Sequence, residues 1–160
     1  MHSNPRPHGL LRLFLRFPIL LYRLGLGWLF GDRLALLTHI GRNSGRQRQV
    51  VIETVRMDRA TNTLYILSGW GEQSDWVLNI RANPEVLVQV GRRRWPATVV
   101  RLAAGQVEHE LLAYARRRPA ALAALAKRYQ AAVPQGGALP ETCRILACRI
   151  PLFALQPRSG

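Results

Sequence analysis

The residues best suited to chemistry lie in one polar turn, at positions 41–48, between two apolar runs. Glycine and asparagine accept a positive φ at little cost, so backbone N–H groups of such a turn can point at one spot. Arginine forks aimed at the same spot would complete a site for a phosphate or a carboxylate. A solvated basic hairpin is the alternative, and the spacing is not that of a Walker loop. The residues concerned are Gly41, Arg42, Asn43, Ser44, Gly45, Arg46 and Arg48.

Other reactive side chains form no recognisable constellation. The four histidines are scattered, without the spacing of metal ligands, so no metal site is predicted. No paired carboxylates and no Ser/His/Asp set occur. Cys143 and Cys148 fall in a segment that we interpret as one strand, where a spacing of five puts them on opposite faces. We therefore expect both to pack in the core rather than to pair or to share a metal.

The charge is the outlier of the composition. A chain of 160 residues is most simply one domain, and it carries 23 basic against 9 acidic residues, a formal +14. All the basic residues except Lys127 are arginine, which suits bidentate contacts to phosphate and carboxylate but can also reflect genome base composition. A basic surface attracts nucleic acid, anionic lipid or an anionic cofactor. Nucleic acid is disfavoured because the arginines are dispersed and poorly interleaved with aromatic residues.

The turn must be held by the elements around it. Short β-rich runs predict about six strands, mostly joined by hairpins. Ser74 is a plausible N-cap of a short helix to about residue 82, and 108–129 is predicted as two helices divided near Pro119. Because no βαβ alternation occurs, we predict a mainly β, α+β protein: a small antiparallel barrel with helices covering it. The strands are expected at 34–40, 50–57, 63–68, 86–90, 95–100 and 142–155.

The N-terminal part divides into a disordered tail, 1–9, and an apolar helix, 10–30, ahead of a barrel domain at 31–157. Arg12, Arg16 and Arg23 fall near one helical face, with a kink or restart at Pro18. The arginines break the run below the length of about 20 residues that a bilayer needs, so a spanning helix is not expected. The helix is predicted to pack on the domain, to lie on an anionic membrane surface, or to do both.

Two motifs in this order give a resemblance. They are Gly-Arg-Asn-Ser-Gly-Arg-Gln-Arg at 41–48, and Ser-Gly-Trp-Gly at 68–71 followed by Trp76, Asn79 and Asn-Pro at 83–84. The chain resembles the deazaflavin-dependent nitroreductase family of small split β-barrel flavin and deazaflavin oxidoreductases, best over 34–100. The resemblance implies an enzyme, a mild expectation of a homodimer, and binding of 8-hydroxy-5-deazaflavin (coenzyme F(420)), which carries a phosphate and an acidic tail. We expect a cytoplasmic location, either free or peripheral on the inner face of the membrane.

The resemblance also assigns residues. It implies that the turn holds the phosphate side of the cofactor through Gly41, Arg42, Asn43, Ser44, Gly45 and Arg48. Ser68, Gly69, Trp70 and Gly71 would border the ring system, where glycine lets the backbone approach closely. Trp76 and Asn79 would brace this wall, although Trp76 is equally interpreted as plain core. His39, where threonine is usual, could hydrogen-bond cofactor or substrate or simply pack in its strand.

The implied reaction is hydride transfer to an electrophile stacked on the cofactor, which needs no catalytic acid–base pair from the protein. Solvent or Tyr129 would supply a proton. The leading and late helices would roof the substrate, with Tyr22, Trp28 and Tyr129 as walls. An apolar roof favours a small hydrophobic substrate such as a quinone, enone or nitroaromatic. Two alternatives stay open: an FMN-binding or haem-degrading split barrel, and a non-enzymatic basic protein that binds nucleic acid or anionic membrane.

Overall fold

A computed structural model describes residues 10–129 and 139–158, with side chains described from residue 17 onward. The strands are β1 Leu34–Ile40, β2 Gln47–Asp58, β3 Thr63–Leu67, β4 Glu85–Val90, β5 Arg93–Arg101 and β6 Leu152–Pro157. The helices are α1 Leu10–Arg23, α2 Asp75–Ala82, α3 Ala104–Arg117, α4 Pro119–Arg128 and α5 Leu139–Ala147, and a short 3-10 helix spans Gly27–Phe30.

The six strands form a closed, wholly antiparallel barrel in the order β1-β2-β3-β6-β5-β4, which confirms the predicted fold class. Alternate residues of each strand point inward, as the period of two requires. The interior is filled by side chains such as Leu37, Ile66, Val88 and Phe153, each no more than 2% exposed. Closure leaves no free sheet edge.

Helix α2 follows β3 and packs its apolar face into the barrel core. Trp76, Val77 and Ile80 join the interior cluster, and the Trp76 ring meets Phe153 edge-on with centroids 5.7 Å apart. The helix begins where Ser74 predicts it, but the Ser74 side chain makes no capping bond to the helix and instead donates to the Gly71 carbonyl. Because the apolar face of α2 points into the core, Asp75 and Asn79 of this helix face the turn that follows β1.

Helices α3, α4 and α5 cover the outer face of β2 and β3 through a second core. This core contains Leu67, Leu111, Tyr114, Leu122 and Leu146. Two polar clusters pin α3 and its C-terminal cap to β2. The guanidinium of Arg56 donates to both carboxylate oxygens of Glu110, at 3.0 and 2.8 Å. Glu53 accepts from Tyr114 Oη at 2.7 Å and from Arg118 at 3.0 Å.

The single strand predicted at 142–155 is wrong, because its first half is helix α5. Thr142, Cys143 and Leu146 share one buried face of that helix, a helical period that places them against α3. Of the predicted strand, only the part after Pro151 is extended, and it forms β6. Cys143 is buried as expected, but Cys148 is exposed after α5, so the prediction that both cysteines pack in the core, on opposite faces of one strand, is wrong.

The N-terminal helix packs on the domain. Helix α1 continues through Pro18, without a break there, and ends at Arg23. Tyr22 is 3% exposed and donates through its hydroxyl to the Leu34 carbonyl at 2.7 Å, while Arg23 donates to Gln49. No helix among residues 10–129 and 139–158 is long and apolar enough to cross a membrane. The predicted tail at 1–9, the side chains of Arg12 and Arg16, and the segment 130–138 lie outside the described residues.

Candidate functional site

The turn after β1 is compact and needs its glycines. The N–H groups of Gly41 and Gly45 donate within the turn, to the carbonyls of Arg46 and Gly41, both at 2.8 Å. Gly45 adopts a φ of +63°, and a Cβ atom on Gly41 would lie 2.8 Å from Ser44 Oγ. The N–H groups of Gly41, Ser44 and Gly45 are thus used to fold the turn itself, and that of Arg42 bonds to Asn79. Most of what the turn can offer to an anion is therefore its side chains.

Asn79 on α2 anchors this turn. Its Oδ1 atom accepts from the Arg42 backbone N–H and from Arg42 Nη1, both at 3.0 Å. Arg42 also forms an ion pair with Asp75, at 3.3 Å. The guanidinium of Arg42 is therefore held against α2, and it braces the turn from the inside.

His39 supports Asn79 from the barrel side. It is 4% exposed, and its Nδ1 atom lies 3.3 Å from the Asn79 amide nitrogen. An amide nitrogen can only donate, so Nδ1 accepts and the imidazole is neutral. Burial, together with the nearby charge of Arg48, lowers the pKa of His39. This residue is a packed strand histidine that orients Asn79.

Two arginines of the turn are free to meet an anion. Arg46 and Arg48 are exposed, and no hydrogen bond or ion pair within the described residues occupies their guanidinium groups. Arg48 pairs across the strands with His39, and its Nε atom would lie 3.4 Å from a Cβ on Gly41. Asn43 and Ser44 are exposed beside them. This donor set fits a phosphate or carboxylate better than any other group.

The second motif of the sequence, at 68–71, forms a tight loop between β3 and α2. Gly71 has a φ of +79°, and its carbonyl accepts from Ser68 Oγ at 2.9 Å and from Ser74 Oγ at 3.0 Å. Ser68 is 1% exposed, so its hydroxyl organises the loop rather than facing solvent. Gly69 and Gly71 carry no side chains of their own, and the side chains of Arg128 and Tyr129 approach them closely.

The end of α4 closes on the same loop. The Arg128 guanidinium stacks 3.9 Å from the centroid of the Trp70 ring and donates to the Gly69 carbonyl at 3.1 Å. Tyr129 Oη lies 3.4 Å from the carbonyls of Ser68 and Gly69, and burial raises the pKa of Tyr129. Sequence reasoning placed Tyr129 here but missed Arg128. In the sequence, Arg128 is recognisable only as a basic residue that precedes the aromatic Tyr129 at the end of a predicted helix.

The turn and the loop are linked through the start of α2. Ser68 Oγ lies 3.0 Å from Ser74 Oγ, and the next residue, Asp75, holds Arg42. We call residues 41–48 and 68–75, with Arg128 and Tyr129, the rim. One part of the rim carries two free guanidinium groups, and the other carries the Trp70 indole and the Tyr129 phenol. That combination fits a molecule with an anionic tail and a planar ring. Trp76, by contrast, lies in the core.

Tyr22 and Trp28 do not reach the rim. Tyr22 bonds to Leu34, six residues before Ile40, which is about 20 Å along an extended strand. Trp28 is stacked by Arg92 of the β4–β5 turn, at 5.7 Å. The substrate wall predicted from Tyr22, Trp28 and Tyr129 is therefore not assembled in this structure. Only Tyr129 lies beside the loop.

Comparison with known proteins identifies relatives. The family model for F(420)H(2)-dependent quinone reductase matches residues 23–135. A solved structure of an F(420)-H(2)-dependent reductase is 22% identical, with a TM-score of 0.55 over 79% of this chain and 96% of that one. A structure described as a domain-swapped dimer has the same identity, TM-score and share of this chain, and 81% of its own chain is covered. A protein of unknown function from Agrobacterium tumefaciens is 14% identical, with a TM-score of 0.55 over 98% of this chain and 60% of that one. At these identities the solved structures establish the fold alone. No curated protein matches significantly.

Proposed function

The chain belongs to the F(420)H(2)-dependent quinone reductase family, and from that premise we propose that the rim holds coenzyme F(420) while a hydrophobic electrophile is reduced beside it. The protein is a deazaflavin-dependent oxidoreductase. When bound, the reduced cofactor supplies a hydride, that is two electrons and one proton. With one further proton, a quinone becomes a hydroquinone. The enones and nitroaromatics are other acceptors of the same apolar class.

The observation that carries the proposal is the pair of unpartnered guanidinium groups on an otherwise self-satisfied turn. Arg46 and Arg48 would hold the phosphate and the acidic tail through charge-assisted hydrogen bonds, with Asn43 and Ser44 beside them. Arg42 has a different task, because Asp75 and Asn79 already engage it. It fixes the turn on α2, and Gly41 and Gly45 allow the turn to be tight.

The ring would lie beside the loop at 68–71, where Trp70 is 37% exposed and offers an aromatic surface. Ser68 keeps the loop folded from within. Tyr129 holds a proton at this place, because burial raises its pKa and its hydroxyl stays protonated at neutral pH. The phenol or solvent would deliver the proton that completes the reduction. His39 is buried behind Asn79 and acts only through it.

A fluorescence titration of the purified protein with oxidised coenzyme F(420), and separately with FMN, tests the proposal. Arg46→Ala and Arg48→Ala should each weaken deazaflavin binding about tenfold, the value of one charge-assisted hydrogen bond of 1.4 kcal/mol or more. Arg116→Ala is the matched control, since Arg116 is an exposed arginine on α3 away from the rim. An equal loss of deazaflavin affinity in all three variants would mean that net charge, rather than this site, attracts the cofactor. Binding of FMN alone would replace the cofactor assignment.

We also propose that the outer face of α1 and the 3-10 helix rests on an anionic membrane surface. Phe17, Leu20, Leu24, Trp28 and Leu29 are between 49% and 64% exposed there. Arg23 and Arg92 flank this apolar face, which is the pattern of an interfacial helix. Sedimentation with phosphatidylglycerol vesicles should retain the protein, and neutral phosphatidylcholine vesicles should not. Leu20→Gln with Leu24→Gln should release it, whereas Leu139→Gln on α5 should have no effect.

We propose that the protein is cytoplasmic and forms a homodimer. Two free thiols are typical of a reducing compartment. A protein of the same fold is described as a domain-swapped dimer, which supports testing this chain for self-association. Light scattering during size-exclusion chromatography measures the mass directly, and a mass of 18.0 kDa would mean a monomer.

A further inference from the structure

A polar cleft lies between the end of α1 and the outer face of the barrel. It holds about 200 Å³, and its lining includes Arg23 and Arg94 but no carboxylate. Tyr22, which also lines the cleft, adds no negative charge, because its hydroxyl donates to the Leu34 carbonyl and burial raises its pKa to about 12. The lining therefore carries a net positive charge.

The floor of the cleft crosses four neighbouring strands. Gln49 of β2 pairs with Thr38 of β1, and Gln89 of β4 pairs with Arg94 of β5. Strands β1 and β4 are themselves paired. Neighbouring strands lie about 4.8 Å apart, so the floor is roughly 14 Å wide from β2 to β5. Arg23 lies over the β2 side and Arg94 on the β5 side, so the two guanidinium groups enclose the cleft from opposite ends.

The donors of the cleft are held in place but not used up. Arg23 donates through Nε and Nη2 to Gln49 Oε1, at 3.1 and 3.0 Å, and its Nη1 group has no bond within the described residues. The Gln49 amide nitrogen donates in turn to Thr38 Oγ1 at 3.4 Å. Arg94 is exposed, and no hydrogen bond or ion pair in the described part of the chain involves its guanidinium. Such groups suit a phosphate, and the amides and hydroxyl beside them suit the hydroxyls of a small polar molecule.

The cleft adjoins the exposed apolar face of α1 and the 3-10 helix. Leu24 follows Arg23 directly and is 64% exposed, and Trp28 is 49% exposed. On the other side, Gln89 donates to the Gly91 carbonyl at 3.3 Å, and a Cβ atom on Gly91 would lie 4.0 Å from the Trp28 Cα. An anion in the cleft is therefore next to a surface that suits acyl chains, which is the arrangement of an anionic phospholipid.

We infer that this cleft binds the head group of an anionic phospholipid, with Arg23 and Arg94 on its phosphodiester and Gln49 and Gln89 beside its hydroxyls. The inference rests on the proposed membrane contact and adds a chemical preference to it. Because no carboxylate lines the cleft, an ammonium group finds no partner there. Phosphatidylglycerol should therefore bind better than phosphatidylserine, although both carry one net negative charge.

The acidic tail of the deazaflavin is the competing occupant, since Gln49 directly follows Arg48 of the turn. The cleft is smaller than the sites of about 300 Å³ or more that enclose larger ligands. An acidic tail also gains nothing from the exposed Leu24 and Trp28 beside the cleft. Both observations favour the lipid head group.

The experiment compares binding to two kinds of vesicle by sedimentation. Phosphatidylcholine vesicles contain either phosphatidylglycerol or phosphatidylserine in the same mole fraction, so that their surface charge is equal. The protein should bind the phosphatidylglycerol vesicles about tenfold more tightly, the value of one charge-assisted hydrogen bond. Arg94→Lys keeps the charge but loses the guanidinium fork, and it should abolish this preference. Arg116→Lys, at an exposed arginine on α3, is the matched control and should retain it.

A second pair of variants leaves the arginines intact. Gln89→Glu puts a carboxylate into the cleft and should weaken binding to phosphatidylglycerol vesicles about tenfold. Gln156→Glu, exposed on β6, changes the net charge equally and should have little effect. Soluble glycerophosphoglycerol should displace the protein from these vesicles at concentrations where inorganic phosphate does not.

The outcomes separate the possible explanations. Equal binding to the two vesicles, or a preference that survives Arg94→Lys, would overturn the inference and leave the membrane contact standing. Binding to neither vesicle would overturn the membrane contact and the inference together. Displacement by inorganic phosphate as effective as that by glycerophosphoglycerol would make the cleft a site for free phosphate. Weaker deazaflavin binding by Arg94→Lys, in the fluorescence titration, would assign the cleft to the tail of the cofactor.

Discussion

Replacing Asn79 with alanine tests whether α2 holds the anion-binding turn. Asn79 is 6% exposed, and its amide makes three hydrogen bonds: two from Arg42, at 3.0 Å, and one to His39, at 3.3 Å. Each neutral bond contributes about 1 kcal/mol and the bond to the guanidinium about 1.5 kcal/mol. The long bond to His39 contributes least. Asn79→Ala should therefore lower the free energy of unfolding by about 3 kcal/mol, or the melting temperature by roughly 6–12 °C for a domain of this size.

Urea unfolding followed by tryptophan fluorescence measures this loss. Asn43→Ala is the control, because Asn43 is an exposed residue of the same turn and should change stability by less than about 0.5 kcal/mol. Asn79→Asp keeps the acceptor for Arg42 and loses only the donor to His39. Its stability at neutral pH should fall between the other two variants.

Cofactor affinity separates a positioning role from a purely structural one. Asn79 is buried and cannot touch a ligand on the outside of the turn, yet Asn79→Ala should weaken deazaflavin binding because Arg46 and Arg48 lose their fixed base. Asn79→Asp should restore most of that affinity. The reasoning fails if Asn79→Ala unfolds at the same urea concentration as Asn43→Ala, or if it binds the deazaflavin as the wild type does.

Three further changes probe the same framework. Burial lowers the pKa of His39 below its usual 6.5, so on acidification the unfolded chain binds this proton first, and the free energy of unfolding decreases below about pH 6.5. His39→Gln should reduce the dependence of this free energy on pH by at most about 1.4 kcal/mol per pH unit. Urea titrations at pH 5.5 and 7.5 measure it. Glu110→Ala should lower the free energy of unfolding by about 2 kcal/mol in the same assay, because it removes two short hydrogen bonds of the half-buried Arg56 and leaves only the longer ion pair to Asp58, at 3.6 Å. Glu108→Ala, whose ion pair to Arg144 spans 3.7 Å, should cost under about 0.5 kcal/mol. Gly71→Ala should lower the melting temperature, because Gly71 has a φ of +79° and an added Cβ would lie 3.1 Å from Tyr129 Oη. Gly105→Ala, in the open first turn of α3, should instead raise the melting temperature. Equal shifts for the two variants would contradict the strain argument.

The barrel could be predicted because its signals are local. Strand β1 lies where its apolar run predicts it, and α2 begins after Ser74 and ends before Asn83, as predicted. Strand β2 begins three residues earlier than predicted, at Gln47, because its polar start pairs with Ile40 and His39 of β1. A pairing partner extends a ladder in a way that the composition of one strand does not reveal.

The features that the sequence did not predict depend on contacts between residues far apart in the chain. The segment at 142–155 is apolar enough for a strand, and only α3 selects the helical face of its first half. Free N–H groups were expected in the turn at 41–48, but those of Gly41, Ser44 and Gly45 bond within the turn. The position of Arg128 over Trp70, 58 positions apart in the sequence, follows from how α4 ends, which no local pattern encodes.

The role of the excess arginines becomes clear from the ion pairs that the carboxylates form. Among the described residues, every aspartate and glutamate except Glu141 lies within ion-pair distance of an arginine. These pairs fasten elements to one another, as Arg56 fastens β2 to α3 and Arg42 fastens the turn to α2. With so few carboxylates, the fold leaves other arginines without internal partners, and Arg46 and Arg48 stand together on one rigid turn. Attraction by net charge would be spread over the surface. Two free guanidinium groups on a braced turn instead define a place and an orientation for one anion, which a hydride-transferring enzyme needs in order to align a ring.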